Sequence, residues 1–429
     1  MIAKTCLAAI ANLAACLTVG LGLCRDAAAQ EPDLAIMGAR IYPSPDAAPI
    51  EDGVVVLRDG RIEAVGARSK VAIPRNARRI DARGAVLTAG FWNSHIHLMP
   101  ENLLNAATAK SETLQAGLEA MLTRWGFTSV FDIASATDNA LALRGRINSG
   151  EVAGPMLLTV GAPFYPEGGT PIYVRQYFKA HGMSSGEVST PQEAAARAAQ
   201  QLDQGTDGVK LFAGAIVPIE GKIGVLPMRV DIAKAVVEEA HRRGKPAFAH
   251  PSNQAGIDVA IESGVDILAH TTTMDGGGAN WSPELIDRLR AHNMALIPTM
   301  TLFEVEAKKF GEKPEDLAAA IKMITAEVRD YSAAGGQILF GTDVGYTDAY
   351  DTSEEYRLMS AALDWRRILA SLTTAPASRF GFAARKGRIA AGMDADLVLL
   401  DGDPAKDPTA FARVRDTVKA GRVIWGRDR

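Results

Sequence analysis

Eight short apolar runs, at residues 87–98, 129–134, 156–160, 208–212, 246–250, 266–270, 295–300 and 337–343, predict an α/β fold of the (β/α)8 TIM-barrel class. Amphipathic helical patterns lie between most of them, clearest at 193–204, 230–243, 283–292 and 314–333. The segments outside this alternation are β-rich at both ends of the chain, so they are expected to pair into one small β-sandwich domain.

The first thirty residues stand apart. Lys4 precedes an Ala/Leu-rich stretch over 6–23, broken by Asn12, and Ala27-Ala28-Ala29 closes it before Gln30. A positive start, an apolar stretch and a small-residue cleavage site read as a secretory leader over 1–29. A retained membrane anchor is the alternative reading of the same stretch. Leu13-Ala14-Ala15-Cys16 also resembles a lipoprotein cleavage box. Cys6, Cys16 and Cys24 all fall here, so cleavage near Ala29 leaves a mature chain with no cysteine and no disulfide, in a periplasmic or secreted location.

Residues 30–86 supply the first part of the sandwich. Within them, 54–57 and 62–65 flank Arg58-Asp59-Gly60-Arg61, and Asp-Gly is a strong hairpin signal. Residues 87–382 hold the barrel and 383–429 the second part of the sandwich. A doubly wound open sheet competes for the central unit, but no Gly-rich nucleotide loop follows any strand. With 429 residues, 47% of them hydrophobic, the chain has ample material for a large core. A net charge of −4 gives no reason to expect nucleic acid or an anionic membrane as partner, and none is expected once the leader is removed.

The chemistry sits at strand ends. The first run closes on His95-Ile96-His97, and residues two apart on a strand project to one side. His250 ends the fifth run, His270 the sixth and Asp343 the eighth. In a barrel those ends converge on one face. Only seven histidines exist, and four of them occupy such positions. By contrast His181 lies in a polar loop, and His241 and His292 sit near helix C-termini, where a cation suits the dipole. Lys210 is flanked by Val209 and Leu211 in the fourth run, where a buried ammonium tends to lose its proton.

The set His95, His97, Lys210, His250, His270 and Asp343 resembles the metal site of the amidohydrolase superfamily. Its flanking text is similar to the imidazolonepropionase-like branch, which includes exported Xaa-Pro and Xaa-Arg/Lys dipeptidases and ochratoxin-cleaving amidases. The tail TTAPASRFG, then KGRIAAGMDADLVLLDGDP and VKAGRVIWG, is similar too, and the likeness runs from about residue 34 to the end. The resemblance implies two divalent ions, Zn²⁺ by preference, with His95, His97 and Asp343 on one and His250 and His270 on the other. It also implies a CO₂-derived carbamate on Lys210 bridging them, and Asp343 as the catalytic base. Asn93 stands where many relatives carry Asp, and Pro251-Ser252-Asn253 follows His250 where dipeptidase-like relatives often have a carboxylate-binding residue.

The expected substrate is a small-molecule amide of dipeptide or N-acyl amino acid type, and a homo-oligomer is the expected assembly. The loop after the third run offers Tyr165, Tyr173 and Arg175 to a substrate carboxylate. The acidic stretch 348–355 is a second candidate for the pocket wall. Hydrolysis of a lactone, carbamate or phosphotriester on the same metals, and metal holding without catalysis, stay open as alternatives. N-terminal sequencing of the native protein is expected to begin near Gln30. An intact Met1 or a blocked, lipidated Cys16 would contradict cleavage there.

Overall fold

The computed structural model describes residues 34–182, 185–272 and 280–427. The leader expected over 1–29, with its three cysteines, lies outside them. The two ends of the chain share one eight-stranded sheet. Val86–Ala89 from the N-terminal side runs antiparallel to Leu397–Leu400 from the C-terminal side, with Leu87 opposite Leu399. Leu87, Leu397 and Leu399 pack with Ile36, Val55 and Leu57 into a buried cluster of that sheet. The expected hairpin joins Ile50–Arg58 to Arg61–Ala67, and both turn residues, Asp59 and Gly60, adopt positive φ as a type I′ turn requires.

Between those ends, eight parallel strands alternate with helices. The first three, Phe91–Ile96, Phe127–Asp132 and Met156–Thr159, pair in chain order. The fourth to eighth, Val209–Phe212, Ala247–His250, Ile267–Ala269, Ala295–Ile297 and Gln337–Ile338, pair in chain order as well. Hydrogen bonds link the two sets on both sides. Phe164 N donates to Lys210 O at 2.8 Å, and Ser94 N donates to Phe340 O at 2.7 Å. The first strand is buried at every position, as expected of parallel strands covered on both faces.

The core is layered. Phe131, Val160, Phe248, Ile267, Ile297 and Leu339 form an inner cluster, and Phe380 closes it from one end with its ring 5.0 Å from Phe131 and 5.6 Å from Trp92. Val209 and Leu211 belong instead to the outer cluster beneath the helices, so Lys210 between them is directed inward by strand alternation. The expected helices are present as Pro191–Asp203, Val230–Arg242, Pro283–Ala291 and Pro314–Ala333. At the first of these the Thr190 hydroxyl accepts from Glu193 N, while the Glu193 carboxylate reaches back to accept from Ser189 N, just before the cap.

Two features depart from the sequence reading. The run 295–300 is a strand only to Ile297; a helix, Met300–Phe310, begins where a strand was expected to continue. A hairpin of Gly214–Ile219 and Lys222–Pro227 follows the fourth strand. The helix exists because its N-terminus is satisfied from a distance. The Glu355 carboxylate accepts from Met300 N at 2.9 Å and from Thr301 N at 2.7 Å. Burial pushes the Glu355 carboxyl up to about 7 against those two bonds. Replacement by alanine leaves two buried donors unpaired. Glu355→Ala is therefore expected to destabilise the fold by about 2–4 kcal/mol, read as a lower midpoint in chemical denaturation; an unchanged midpoint would contradict this capping role.

Candidate metal centre

The first strand delivers its histidines through an irregularity. Its pairing with the second strand shifts register between Asn93 and Ile96. Asn93 holds that shift: its Oδ1 accepts from His95 N at 3.2 Å and its Nδ2 donates to Thr342 Oγ1 at 2.8 Å. His95 and His97 then face the same space, while Ile96 and Leu98 join the outer core. His250 lies two residues beyond the inward Phe248 and keeps its phase. His270 does not follow alternation, because Ile267 and Ala269 already face inward. Its φ of 79° turns the backbone and brings its ring 4.6 Å from that of His250.

Asp343 meets these rings from the far end of the eighth run. Its Oδ1 lies 2.6 Å from His97 Nε2 and 3.1 Å from His95 Nε2, and the two Nε2 atoms are 3.2 Å apart. His270 Nε2 is 3.9 Å from Oδ2. The Asp343 Oδ1 is buried and makes no hydrogen bond of acceptable geometry despite this crowding. Donor atoms crowded this closely, with one carboxylate oxygen left without a hydrogen bond, fit a shared cation. Among the described residues, His95, His270 and Asp343 offer ligand atoms all within 4.8 Å of one another.

The tautomers fit as well. His97 Nδ1 lies 3.1 Å from Ala134 O, a partner that only accepts, so Nδ1 carries a proton and Nε2 is turned to Asp343. His270 Nδ1 lies 2.6 Å from Thr299 Oγ1, which orients the ring with Nε2 towards Asp343. Burial pushes His95 down to about 4, and His250 and His270 well below the ordinary imidazole range. Those rings are neutral, the form that binds metal. Burial would raise the Asp343 carboxyl, but the adjacent His95 and His97 hold it well below the usual carboxylate range. Burial also brings Lys210 down to about 7 against the pull of Asp343, with its Nζ 5.8 Å from the Phe212 ring.

All six of these side chains line one cavity of about 1070 Å³, together with Tyr165 and Tyr173. Arg175 does not reach it. Its Nε donates to Thr170 O at 2.9 Å, and it borders a separate, smaller depression beside Glu187. The stretch 348–355 does not line the cavity either, since Glu355 is turned inward to cap the helix. His241 pairs with Asp266 at 2.9 Å and His292 caps a helix, as structural residues do. His181 was expected to be structural too, yet it stands at the cavity wall. Sequence reasoning missed Glu306 and Tyr346, which share a hydrogen bond of 2.9 Å on that wall. They lie on the unforeseen helix and on the loop after Asp343, where no periodicity marks them.

Imidazoles and a carboxylate at the C-terminal ends of parallel strands, with a buried amine beside them, form a site that could hold metal in an α/β protein. Comparison with known proteins gives the family. Residues 86–424 match the amidohydrolase family. The chain belongs to that family and is a hydrolase of carbon–nitrogen bonds, and its central unit is a TIM-barrel-type α/β fold. Family members generally use divalent metal ions. The chain is 23% identical to the ochratoxinase of Aspergillus niger over 445 aligned residues, covering 94% of this chain and 90% of that one. The crystal structure of a Xaa-Pro dipeptidase with bound methionine in the active site superposes with a TM-score of 0.78 at 23% identity, covering 92% of this chain and all of the other. Molinate hydrolase gives a TM-score of 0.75 at 21% identity, covering 92% and 95%.

Because Thr299 orients His270, Thr299→Ala is expected to weaken metal binding by about 10- to 100-fold with the fold retained. Competition with a chelator measures this, and unchanged affinity would show that the hydroxyl is not needed.

Proposed function

We propose that this chain is an exported, binuclear amidohydrolase that cleaves the amide bond of a small molecule with water. The observation that carries the reading is the convergence of His95, His97, Lys210, His250, His270 and Asp343 on one cavity. In this reading His95, His97 and Asp343 would hold one ion, His250 and His270 the other, and a carboxylated Lys210 would supply anionic oxygen ligands. The near-neutral Lys210 supports this, because an uncharged amine can add to CO₂, releasing a proton and leaving a carbamate anion. Zn²⁺ suits such a donor set, with Mn²⁺ or Co²⁺ as substitutes.

When bound, the two ions would lower the pKa of water and polarise the scissile carbonyl. Asp343 does the proton work. Its carboxylate is ionised and buried at the meeting point of the rings, so it can take a proton from the attacking water and return it to the leaving nitrogen. The inner cluster and Phe380 form a dry, rigid floor that fixes these positions. The reading includes closure of the eight strands into one (β/α)8 barrel over 87–382, with 30–86 and 383–429 as a sandwich. The pattern of residues 1–29 supports export to the periplasm or beyond.

Metal-loaded protein is expected to release amine from members of a library of dipeptides, N-acyl amino acids and simple N-acyl amines. Asp343→Asn keeps the size and one oxygen but cannot accept the proton, so kcat is expected to fall by roughly 10² to 10⁴ with KM nearly unchanged. Metal content is measured on the same sample. A variant that holds its metal and keeps near-normal kcat would show that the base lies elsewhere.

A further inference from the structure

We propose that the cavity selects bulky, uncharged aromatic amides and discriminates against amides that carry a free carboxylate beside the scissile bond; this rests on amide hydrolysis being the reaction of this site. Size is the first argument. At about 1070 Å³ the cavity exceeds what a dipeptide fills and stands at the upper end of small-molecule sites, which run to about 1,000 Å³. Its walls are the second. Tyr173, Tyr177, Phe178, Phe212 and Phe303 supply aromatic surface around the metal donors. At the mouth stand Ile223 and Phe310, 54% and 56% exposed. Large apolar groups left in water at a cavity rim point to a ligand whose apolar body covers them.

Charge is the third argument. Among the described residues lining the cavity, Lys210 is the only lysine or arginine, and it lies at the metal donors. The nearby cations are committed elsewhere. Arg175 is turned to Thr170 O, and the Lys309 ammonium is held 3.3 Å from Glu306 and 3.1 Å from Tyr346 OH. Acidic groups do face the space: Glu306, Glu312, Asp138 and Asp316. Glu306 is the best placed of them, because Tyr346 donates to it and the Tyr346 ring stands 5.6 Å from Tyr173 and 6.5 Å from His97. Away from the six residues of the candidate metal site, a substrate carboxylate loses water, meets the Glu306 carboxylate, whose charge Lys309 shares, and among the described lining residues finds no lysine or arginine to pair with. An uncharged aromatic arm gains from the same surface.

The test uses two amides that differ only in the carboxylate: N-benzoyl-phenylethylamine and N-benzoyl-phenylalanine. Each is offered to the metal-loaded full chain, with amine release read as kcat/KM and binding read by calorimetry. The uncharged amide is expected to be preferred on the order of tenfold or more in both. Glu306→Gln, which keeps an acceptor for Tyr346, is expected to narrow that ratio; an unmoved ratio would contradict like-charge repulsion as its source. Equal or better use of the carboxylate-bearing amide overturns the proposal, and so does failure of both to bind. The expected binding preference without turnover supports the selectivity and overturns amide hydrolysis instead.

Discussion

A carboxylate oxygen held within 3.1 Å of two imidazole nitrogens, all nearly inaccessible to water, is an arrangement that protons alone satisfy poorly. Burial keeps the His95 ring neutral, and the Ala134 carbonyl beside His97 Nδ1 turns that ring so that Nε2 faces the same oxygen. A cation placed among them would satisfy the oxygen and both ring nitrogens at once. Burial thus leaves a set of donor atoms that could hold a metal ion. Lys210 obeys the same constraint from the other side, because the medium that keeps the imidazoles neutral also removes the reason for its amine to stay protonated.

The scaffold holds this arrangement with local strain. His270, Asp343 and Thr299 all adopt positive φ, at 79°, 60° and 46°, in places where strands end and the backbone must turn side chains towards the donors. Such conformations cost about 1–3 kcal/mol each. They persist because the surroundings over-determine them. His270 N donates to Ile297 O and Asp343 N to His95 O. Glu355 then anchors the helix that starts just after Thr299 and carries Phe303 and Glu306 to the cavity wall. A single buried carboxylate outside the six-residue site therefore helps set the cavity wall.

That these six side chains meet at one cavity was legible because strand periodicity and residue chemistry coincide there. A histidine at the end of an apolar run is rare enough to be informative, and Lys210 stood out as a lysine inside such a run, though its inward phase needed the packing of Val209 and Leu211 to show it. The sequence did not show why His270 turns inward, since alternation places it on the wrong side and only the backbone at positive φ corrects this. The helix from Met300 was hidden for a related reason. Its start depends on a carboxylate 55 residues away, which no local capping signal announces. Arg175 illustrates the opposite error: a suitable residue type in a suitable loop, whose guanidinium is used by a neighbouring backbone carbonyl.

The account turns on two ions bridged by a modified lysine, and anomalous diffraction from zinc-loaded crystals tests that most directly. Two peaks per chain are expected, one beside His95, His97 and Asp343 and one beside His250 and His270, with density continuous from Lys210 Nζ to both. A single peak with an unmodified Lys210, or no peak among these side chains in an active preparation, would contradict the account.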